Sequence, residues 1–296
     1  MRAFMWLFCL VIVLFSLEIK DETSFVYKND KVQIYLNLDE NSTKGHIFYD
    51  NKDHFFDSEN FNGSELNLIY EDDEKANINF VYDGLIFEKR GVLQSLKLYK
   101  KFNFLALNSI FDNGSNVKFK YSKNLLFQGD KKTIENELKS SYKKEFNYFL
   151  NEFGSDLSDD FPFTYEIEEK VEIYYTNDNF SVFKNFFYIY SDGAHGMYSL
   201  NYETFYRGKK ITLDEILVKN EKLRLKIWDK VKENAYIEEN EFKITENFKL
   251  NPYGITFVYA PYEVAPYSFG SPEAFFTFDE ISEFLKDEFK DTNLFL

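Results

Sequence analysis

An alternation of apolar and polar residues with a period of two runs through the first part of the chain and restricts it to a β-rich fold. From Val32 to Leu38, apolar side chains occupy every second position. The same alternation recurs in three later segments, at 66–70, 78–82 and 117–121. Side chains of a strand point alternately to its two faces, so each segment is predicted to be a half-buried strand. Short turns rich in Asn, Asp and Gly separate them, which favours an antiparallel β-meander or a barrel-like unit over residues 23–122.

A helical periodicity begins after residue 130 and marks a second unit. Apolar side chains spaced mostly four residues apart predict a helix from Lys131 to Phe153. Asp130 is placed to cap its first turn, and Gly154 to end its last turn. The domain boundary is therefore predicted between residues 122 and 131.

Strands and helices mix in the second unit, which covers residues 131–290. The predicted strands are Val171–Tyr175, Phe180–Tyr190, Tyr198–Tyr206, Phe242–Phe248 and Gly254–Tyr259. A capping box of Thr212 and Glu215 predicts a short helix. Apolar periodicity predicts two further helices, over 223–235 and 279–289. This order indicates an α+β domain with an antiparallel sheet and packed helices.

Charge excludes one class of partner. Fifty acidic residues against 35 basic residues give a net charge of −15. Such a surface repels backbone phosphates, so we expect no nucleic-acid partner. The same charge suits a cationic protein or a divalent cation, although solubility alone is an equally simple explanation.

The N-terminal residues have the pattern of an export signal. Arg2 precedes an uncharged apolar run, Ala3–Leu17. As a helix this run would reach about 22 Å, shorter than the roughly 30 Å hydrocarbon core of a bilayer. Residues 1–17 are therefore predicted to be a signal peptide, with Ser16 before the cleavage site, or an N-terminal membrane anchor. The exported protein is expected in the periplasm or at the cell surface. Cys9 is the sole cysteine, so no intramolecular disulfide forms.

Motifs for catalysis and metal binding are missing from the sequence. It has three histidines and no HExxH, Cys-based zinc, P-loop or GxGxxG pattern. We therefore assign no metal, cofactor or catalytic residue and predict that the chain is not an enzyme. His46 and His54 fall in the β-rich unit and are predicted to be surface residues.

Two short segments are candidates for ligand binding, and their candidate residues are Asp192, His195, Tyr262, Glu263 and Tyr267. His195 lies in a turn between two glycines. Its imidazole can meet Asp192 or Glu263 as a base, contact a partner, or hydrogen-bond the turn that it shapes. Tyr262 and Tyr267 lie in a second segment, 260–270, that also holds two prolines. A preshaped loop with aromatic rings suits recognition, although the tyrosines can instead pack on the sheet.

Three ordered blocks of the second unit resemble a known bacterial domain. The blocks are Asp192–Gly196, Gly208–Leu217 and Pro261–Gly270. They are similar to the extracytoplasmic domain of unknown function in the lysozyme-sensing anti-sigma factor of bacilli, which also precedes the catalytic domain of a peptidoglycan deacetylase. The resemblance covers residues 131–290 and implies an α+β fold, an envelope location and, in one branch, lysozyme binding. The β-rich unit before it is similar to modules that accompany this domain in envelope proteins.

These observations predict a non-catalytic binding or sensing protein of the cell envelope. Its expected partner is a cationic protein such as lysozyme, or peptidoglycan. Membrane contact would come through the N-terminal segment if that segment is not cleaved. Two alternatives stay open, a cell-envelope hydrolase using His195 with nearby carboxylates and a structural envelope protein.

Overall fold

A computed structural model of the chain describes residues 14–38, 43–49, 52–58, 65–69, 75–81, 84–113, 117–127, 129–153 and 162–296. Residues 1–13 of the predicted leader and the predicted helix cap Gly154 lie outside these ranges. The last residues of the leader segment, from Leu14, form the beginning of a strand.

The chain folds into two compact units built from interleaved segments. The small unit comprises Met1–Lys20, Leu105–Glu169 and Phe187–Tyr198. The large unit comprises Asp21–Phe104, Lys170–Phe186 and Ser199–Leu296. The two units are interleaved along the sequence. The single domain boundary predicted between residues 122 and 131 stays a prediction.

The described residues confirm the α+β class, with strands and helices in both halves of the sequence. The strands are β1 (Leu14–Lys28), β2 (Val32–Leu38), β3 (Thr43–Tyr49), β4 (Lys52–Ser58), β5 (Glu65–Ile69), β6 (Lys75–Val81), β7 (Gly84–Lys89), β8 (Val92–Asp112), β9 (Val117–Leu126), β10 (Phe163–Thr176), β11 (Phe180–Ser191), β12 (Met197–Tyr206), β13 (Lys209–Ile211), β14 (Phe248–Asn251), β15 (Gly254–Val258) and β16 (Glu273–Thr277). The α-helices are α1 (Lys131–Phe153), α2 (Leu213–Ile216), α3 (Glu221–Val231) and α4 (Phe278–Ile281).

The N-terminal strands of the large unit form the predicted antiparallel meander. Each strand from β1 to β4 pairs with the next, and so does each strand from β5 to β8. Apolar residues at alternate positions, among them Ile34, Ile47, Ile78 and Phe87, are buried in one core. Each such side chain contributes about 1.5–3 kcal/mol by leaving water. The period-two pattern therefore reports which face of each strand lies inward.

Helix α1 and the strands that flank it form the core of the small unit. The carboxylate of Asp130 accepts the main-chain N–H groups of Lys132 and Thr133, each at 3.2 Å, which confirms the predicted cap. Phe149 is fully buried and its ring lies 5.0 Å from that of Phe119 on β9. Strands β9 and β10 pair in parallel, because the chain returns through a helix rather than a tight turn. The sheet is predominantly antiparallel, as predicted, and this pair is a parallel exception within it.

The C-terminal part of the large unit holds a separate antiparallel sheet in the order β14-β15-β16. The capping box of Thr212 and Glu215 on α2 is confirmed. The helix predicted over 279–289 is only partly present. It begins as α4 and continues as a 3-10 turn to Phe284, after which the main chain pairs elsewhere. Val218 N–H donates to Phe284 O at 2.8 Å, and Lys286 N–H donates to Ile216 O at 2.9 Å. These bonds hold Leu285 and Lys286 extended beside the end of α2, before a second 3-10 turn at Asp287–Phe289.

Two other predicted elements differ from the structure. The strand predicted at 242–248 begins only at Phe248, as β14. Phe242 lies before it in an irregular segment and is buried against the rings of Trp228 and Tyr259 at 5.2 and 5.5 Å. Its hydrophobicity therefore reports core packing rather than a strand. The helix predicted to reach residue 235 ends at Val231, followed by a short 3-10 turn.

Candidate functional site

The predicted binding loop, 260–270, follows β15 in the large unit and combines buried anchors with exposed rings. Val264 and Ala265 are buried and fix the middle of the loop. Tyr262 is 46% exposed and has a φ of +68°, a left-handed conformation that side chains with a Cβ rarely adopt. Its ring lies 5.5 Å from that of Tyr267. The two predicted tyrosines therefore stand together on one surface.

A third tyrosine, which the sequence did not indicate, joins this pair. Tyr236 is 58% exposed, and its main-chain N–H donates to Val264 O at 3.0 Å. Its hydroxyl donates to the carbonyl of Tyr262. We call Tyr236, Tyr262 and Tyr267 the aromatic platform. Phe269, 54% exposed, follows Tyr267 within the same turn and adds apolar area beside it.

The two sequence segments that carry the aromatic platform are rich in carboxylates. The segments 233–241 and 260–270 contain no Lys or Arg, and their five acidic residues are all exposed: Glu233, Glu238, Glu239, Glu241 and Glu263. Arg224 approaches Glu239 at 3.5 Å from helix α3. Glu263, a predicted ligand residue, accepts the main-chain N–H of Ala260 at 2.8 Å, so its carboxylate also holds the loop closed.

The other predicted segment, around His195, lies in the small unit as the tight turn between β11 and β12. Asp192 has a φ of +63° and Gly193 a φ of +114°. The Nδ1 atom of His195 lies 2.9 Å from Gly196 O, which is the contact expected if the histidine shapes its own turn. Asp192 and His195 thus belong to one unit, and the aromatic platform with Glu263 belongs to the other.

The most unusual group of side chains in the large unit was missed by sequence reasoning. His46 was predicted to be at the surface, but it is buried, and that prediction was wrong. Its ring stacks between Tyr35 and Tyr174, with ring centroids 4.5 and 5.2 Å away. Its Nε2 donates to the carbonyl of Tyr174. Burial lowers the pKa of His46 to about 3, so the imidazole is neutral at ordinary pH.

Asp53 lies at the other end of Tyr174. The hydroxyl of Tyr174 donates to Asp53 Oδ2 at 2.8 Å. The second carboxylate oxygen, Oδ1, is inaccessible to solvent and has no hydrogen-bond partner in the part of the chain that the structure describes. Burial raises the pKa of Asp53 to about 7. The carboxyl group therefore titrates near neutrality.

An ion pair closes this cluster from the β14–β16 side. The side chain of Lys249 is only 7% exposed, and its ammonium lies 2.9 Å from Glu273. It also lies 5.1 Å from the ring centroid of Tyr174 and 5.4 Å from that of Tyr202, within the range of cation–π attraction. Burial raises the pKa of Tyr202 above its ordinary value. The cluster is thus a desolvated, internally bonded group that supports the fold.

One cleft in the large unit is lined by residues other than the predicted ones. It has a volume of about 460 Å³, and its lining includes Lys28, Asn29, Gln33, Phe48 and Tyr253. None of the five candidate binding residues lines it.

Two other kinds of site are absent from the described ranges. There, no three His, Cys, Asp or Glu side chains come together in a way that could hold a metal ion. Nor is any helix in those ranges long and apolar enough to cross a membrane.

Comparison with known proteins identifies one family. A model of the DUF3298 family, described as a protein of unknown function, matches residues 123–279. A crystal structure of a DUF3298 member from Bacteroides fragilis is 18% identical, covers 63% of this chain and 93% of its own, and superposes with a TM-score of 0.47. A DUF3298 protein from Pseudomonas aeruginosa PAO1 is 18% identical, covers 60% of this chain and 87% of its own, with a TM-score of 0.39. No curated protein matches the chain.

Proposed function

The chain belongs to the DUF3298 family of proteins of unknown function, and from this premise we propose that it is a non-catalytic binding or sensing protein of the cell envelope. Its partner in this proposal is a cationic protein, which binds at the aromatic platform. The proposal depends above all on one observation: Tyr236 and Tyr262 are exposed in two segments that carry five exposed carboxylates and no Lys or Arg.

The exposed rings supply the affinity. Tyrosine side chains are enriched among the residues that dominate binding energy, because they bury a large area and lose little conformational entropy. Tyr236 and Tyr262 each leave about half of their surface open in the free protein. Their aromatic faces also attract lysine and arginine side chains.

Strain at Tyr262 supports a binding role over a purely structural one. A left-handed backbone costs a residue with a Cβ roughly 1–2 kcal/mol, and glycine would avoid this cost. Such outliers persist where the surrounding structure fixes them and are concentrated at binding sites. The hydrogen bonds of Tyr236 to Val264 and Tyr262 fix the loop in this conformation before any partner arrives. A preformed surface loses less entropy on binding.

The carboxylates favour a partner of positive charge. A net charge of −15 attracts a cationic protein and speeds its encounter at low ionic strength. At physiological ionic strength the attraction extends over about 8 Å, so the local carboxylates matter most. The resemblance to the lysozyme-sensing domain supports lysozyme as the first partner to test.

Replacing Tyr262 and Tyr267 together by alanine is expected to weaken lysozyme binding at least tenfold. Aromatic anchors at the centre of an interface commonly contribute about 2 kcal/mol or more each. Calorimetric titration of lysozyme against the full chain measures the loss. The matched control is Tyr148→Ala, which removes a similarly exposed ring from the small unit and should bind like the wild type.

A second variant, Tyr262→Gly, separates binding from folding. Glycine adopts a φ of +68° without strain, so the melting temperature should be kept or raised while lysozyme binding falls. Unfolding of the double alanine variant would give the loop a structural role. A folded variant with undiminished affinity would place the interface elsewhere. Preference for peptidoglycan over lysozyme would contradict a cationic-protein partner.

Export is the second part of the proposal and has its own test. The apolar run Ala3–Leu17 behind Arg2 supports a location outside the cytoplasm. An alkaline phosphatase reporter fused after Glu22 is expected to be active, because that enzyme requires an oxidising compartment for its disulfides. Replacing apolar residues of the run by charged ones should abolish the activity. An inactive reporter on the unaltered sequence would exclude export.

A further inference from the structure

The outward face of helix α1 carries a stripe of lysines. Leu138, Tyr142 and Phe149 form the buried face of this helix. Lys132, Lys139 and Lys143 are exposed, and their spacing of seven and four residues places them above one another along another face. Asn136, Asn147 and Leu150 lie between and after them on the same face, and the half-buried Glu135 borders it.

The stripe is a basic surface on an acidic protein. Lys144 is exposed beside it. Between Lys132 and Tyr148 only Glu137 is a fully exposed acidic residue, and Glu135 and Glu145 are half-buried. Lys139 approaches Glu135 at 3.9 Å and Lys144 approaches Glu145 at 3.7 Å. Exposed ion pairs at such distances are worth little, so they leave these lysines able to bind other anions.

An exposed apolar side chain ends the stripe. Leu150 is 37% exposed and lies on the same face as the lysines. Burying it would remove apolar surface from water without disturbing the inner face of the helix. A helix face that combines basic side chains with an exposed leucine matches the boundary between lipid headgroups and acyl chains.

We infer that this face of α1 is a docking surface for a membrane that carries anionic lipids. The inference is independent of the proposed function, because it uses residues of the small unit alone. The helix has 23 residues and extends about 34 Å, so it can lie along a bilayer surface over its whole length. Acidic residues further than about 8 Å from the membrane are screened at physiological salt, so the net charge of −15 does not prevent docking.

Co-sedimentation of the full chain with vesicles tests the inference. Vesicles of equal parts phosphatidylglycerol and phosphatidylcholine should bind the protein more tightly than vesicles of phosphatidylcholine alone. A lysine near an anionic surface contributes about fivefold in affinity. The variant Lys139→Glu with Lys143→Glu should therefore lose about 25-fold or more. The apolar N-terminal run is present in every variant, so differences between variants isolate the α1 face.

The matched control is Lys243→Glu with Lys290→Glu, which makes the same change in net charge at exposed positions of the large unit. It should bind as the wild type does, and circular dichroism should show that both variants are folded. Equal loss in both variants, or equal binding to both kinds of vesicle, would overturn the inference. Tight binding of inorganic polyphosphate with no preference for anionic vesicles would assign the stripe to a soluble polyanion instead. Leu150→Ser should weaken vesicle binding without affecting polyphosphate.

Discussion

Replacing Gly254 by alanine is expected to destabilise the large unit by about 3 kcal/mol, at the upper end of the range for overpacked cores. A Cβ at this position would lie 1.9 Å from the carbonyl oxygen of Phe276 and 2.8 Å from its carbon. Gly254 lies on the central strand β15, paired with Asn251 on one side and Thr277 on the other. Neither neighbour can retreat without breaking ladder hydrogen bonds. Urea unfolding of the variant and the wild type measures the difference.

Gly91→Ala is the matched control for this prediction. A Cβ at Gly91 would meet no atom within 4 Å, although its φ of +77° still disfavours alanine. The expected cost is therefore only the backbone strain, about 1–2 kcal/mol. Equal destabilisation by the two substitutions would show that strand contact at Gly254 is not the cause.

Replacing Asp53 by asparagine is expected to make the protein sensitive to acid over a range where the wild type is not. The folded-state pKa of Asp53 is raised from 3.8 to about 7. Between these values the folded protein holds a proton that the unfolded chain has released, so this group lowers stability as pH rises from about 4 to 7. His46 acts in the opposite direction. Its pKa falls from 6.5 to about 3, so its contribution to stability is lost as pH falls through that window.

The two contributions oppose each other between about pH 4 and 6.5 in the wild type. Each has a slope of at most about 1.4 kcal/mol per pH unit. Asp53→Asn removes the contribution of Asp53 and leaves that of His46. The stability of the variant relative to the wild type should therefore fall steadily as the solution is acidified. His46→Gln, which keeps a donor for Tyr174 O, should show the reverse trend. Unfolding free energies from urea titrations at several pH values measure both. Parallel pH profiles for wild type and Asp53→Asn would contradict the assigned pKa shift.

Local signals in the sequence predicted the elements that depend on neighbouring residues. Residues within one or two helical turns determine the bounds of α1, its Asp130 cap and the capping box at Thr212. The alternating strands of the large unit also follow from nearest-neighbour patterning. In the candidate site, the loop of Tyr262 and Tyr267 could likewise be predicted, because its prolines and aromatic residues are close together in the sequence.

Features that depend on distant residues were missed. The burial of His46 depends on its cross-strand partner Tyr35 and on Tyr174, which is 128 positions away. Tyr236 joins Tyr262 across 26 positions through a hydrogen bond that no local pattern indicates. The segment after α4 is apolar at helical spacing, yet main-chain pairing with the end of α2 breaks the helix at Leu285. Register and tertiary pairing decide such positions, and a single sequence does not encode them in any local period.

The parallel pairing of β9 with β10 imposes an order of events on the newly made chain. Lys120 and its partner Glu166 are 46 positions apart, with α1 between them. A helix forms from local contacts in about a microsecond, but the second strand must first be synthesised, at about 5–20 residues per second. For a few seconds β9 therefore has an edge without its native neighbour, and such an edge can pair with a strand of another chain. Association between chains that emerge next to one another is the hazard that this topology creates, and it ends when residues 163–169 emerge and dock.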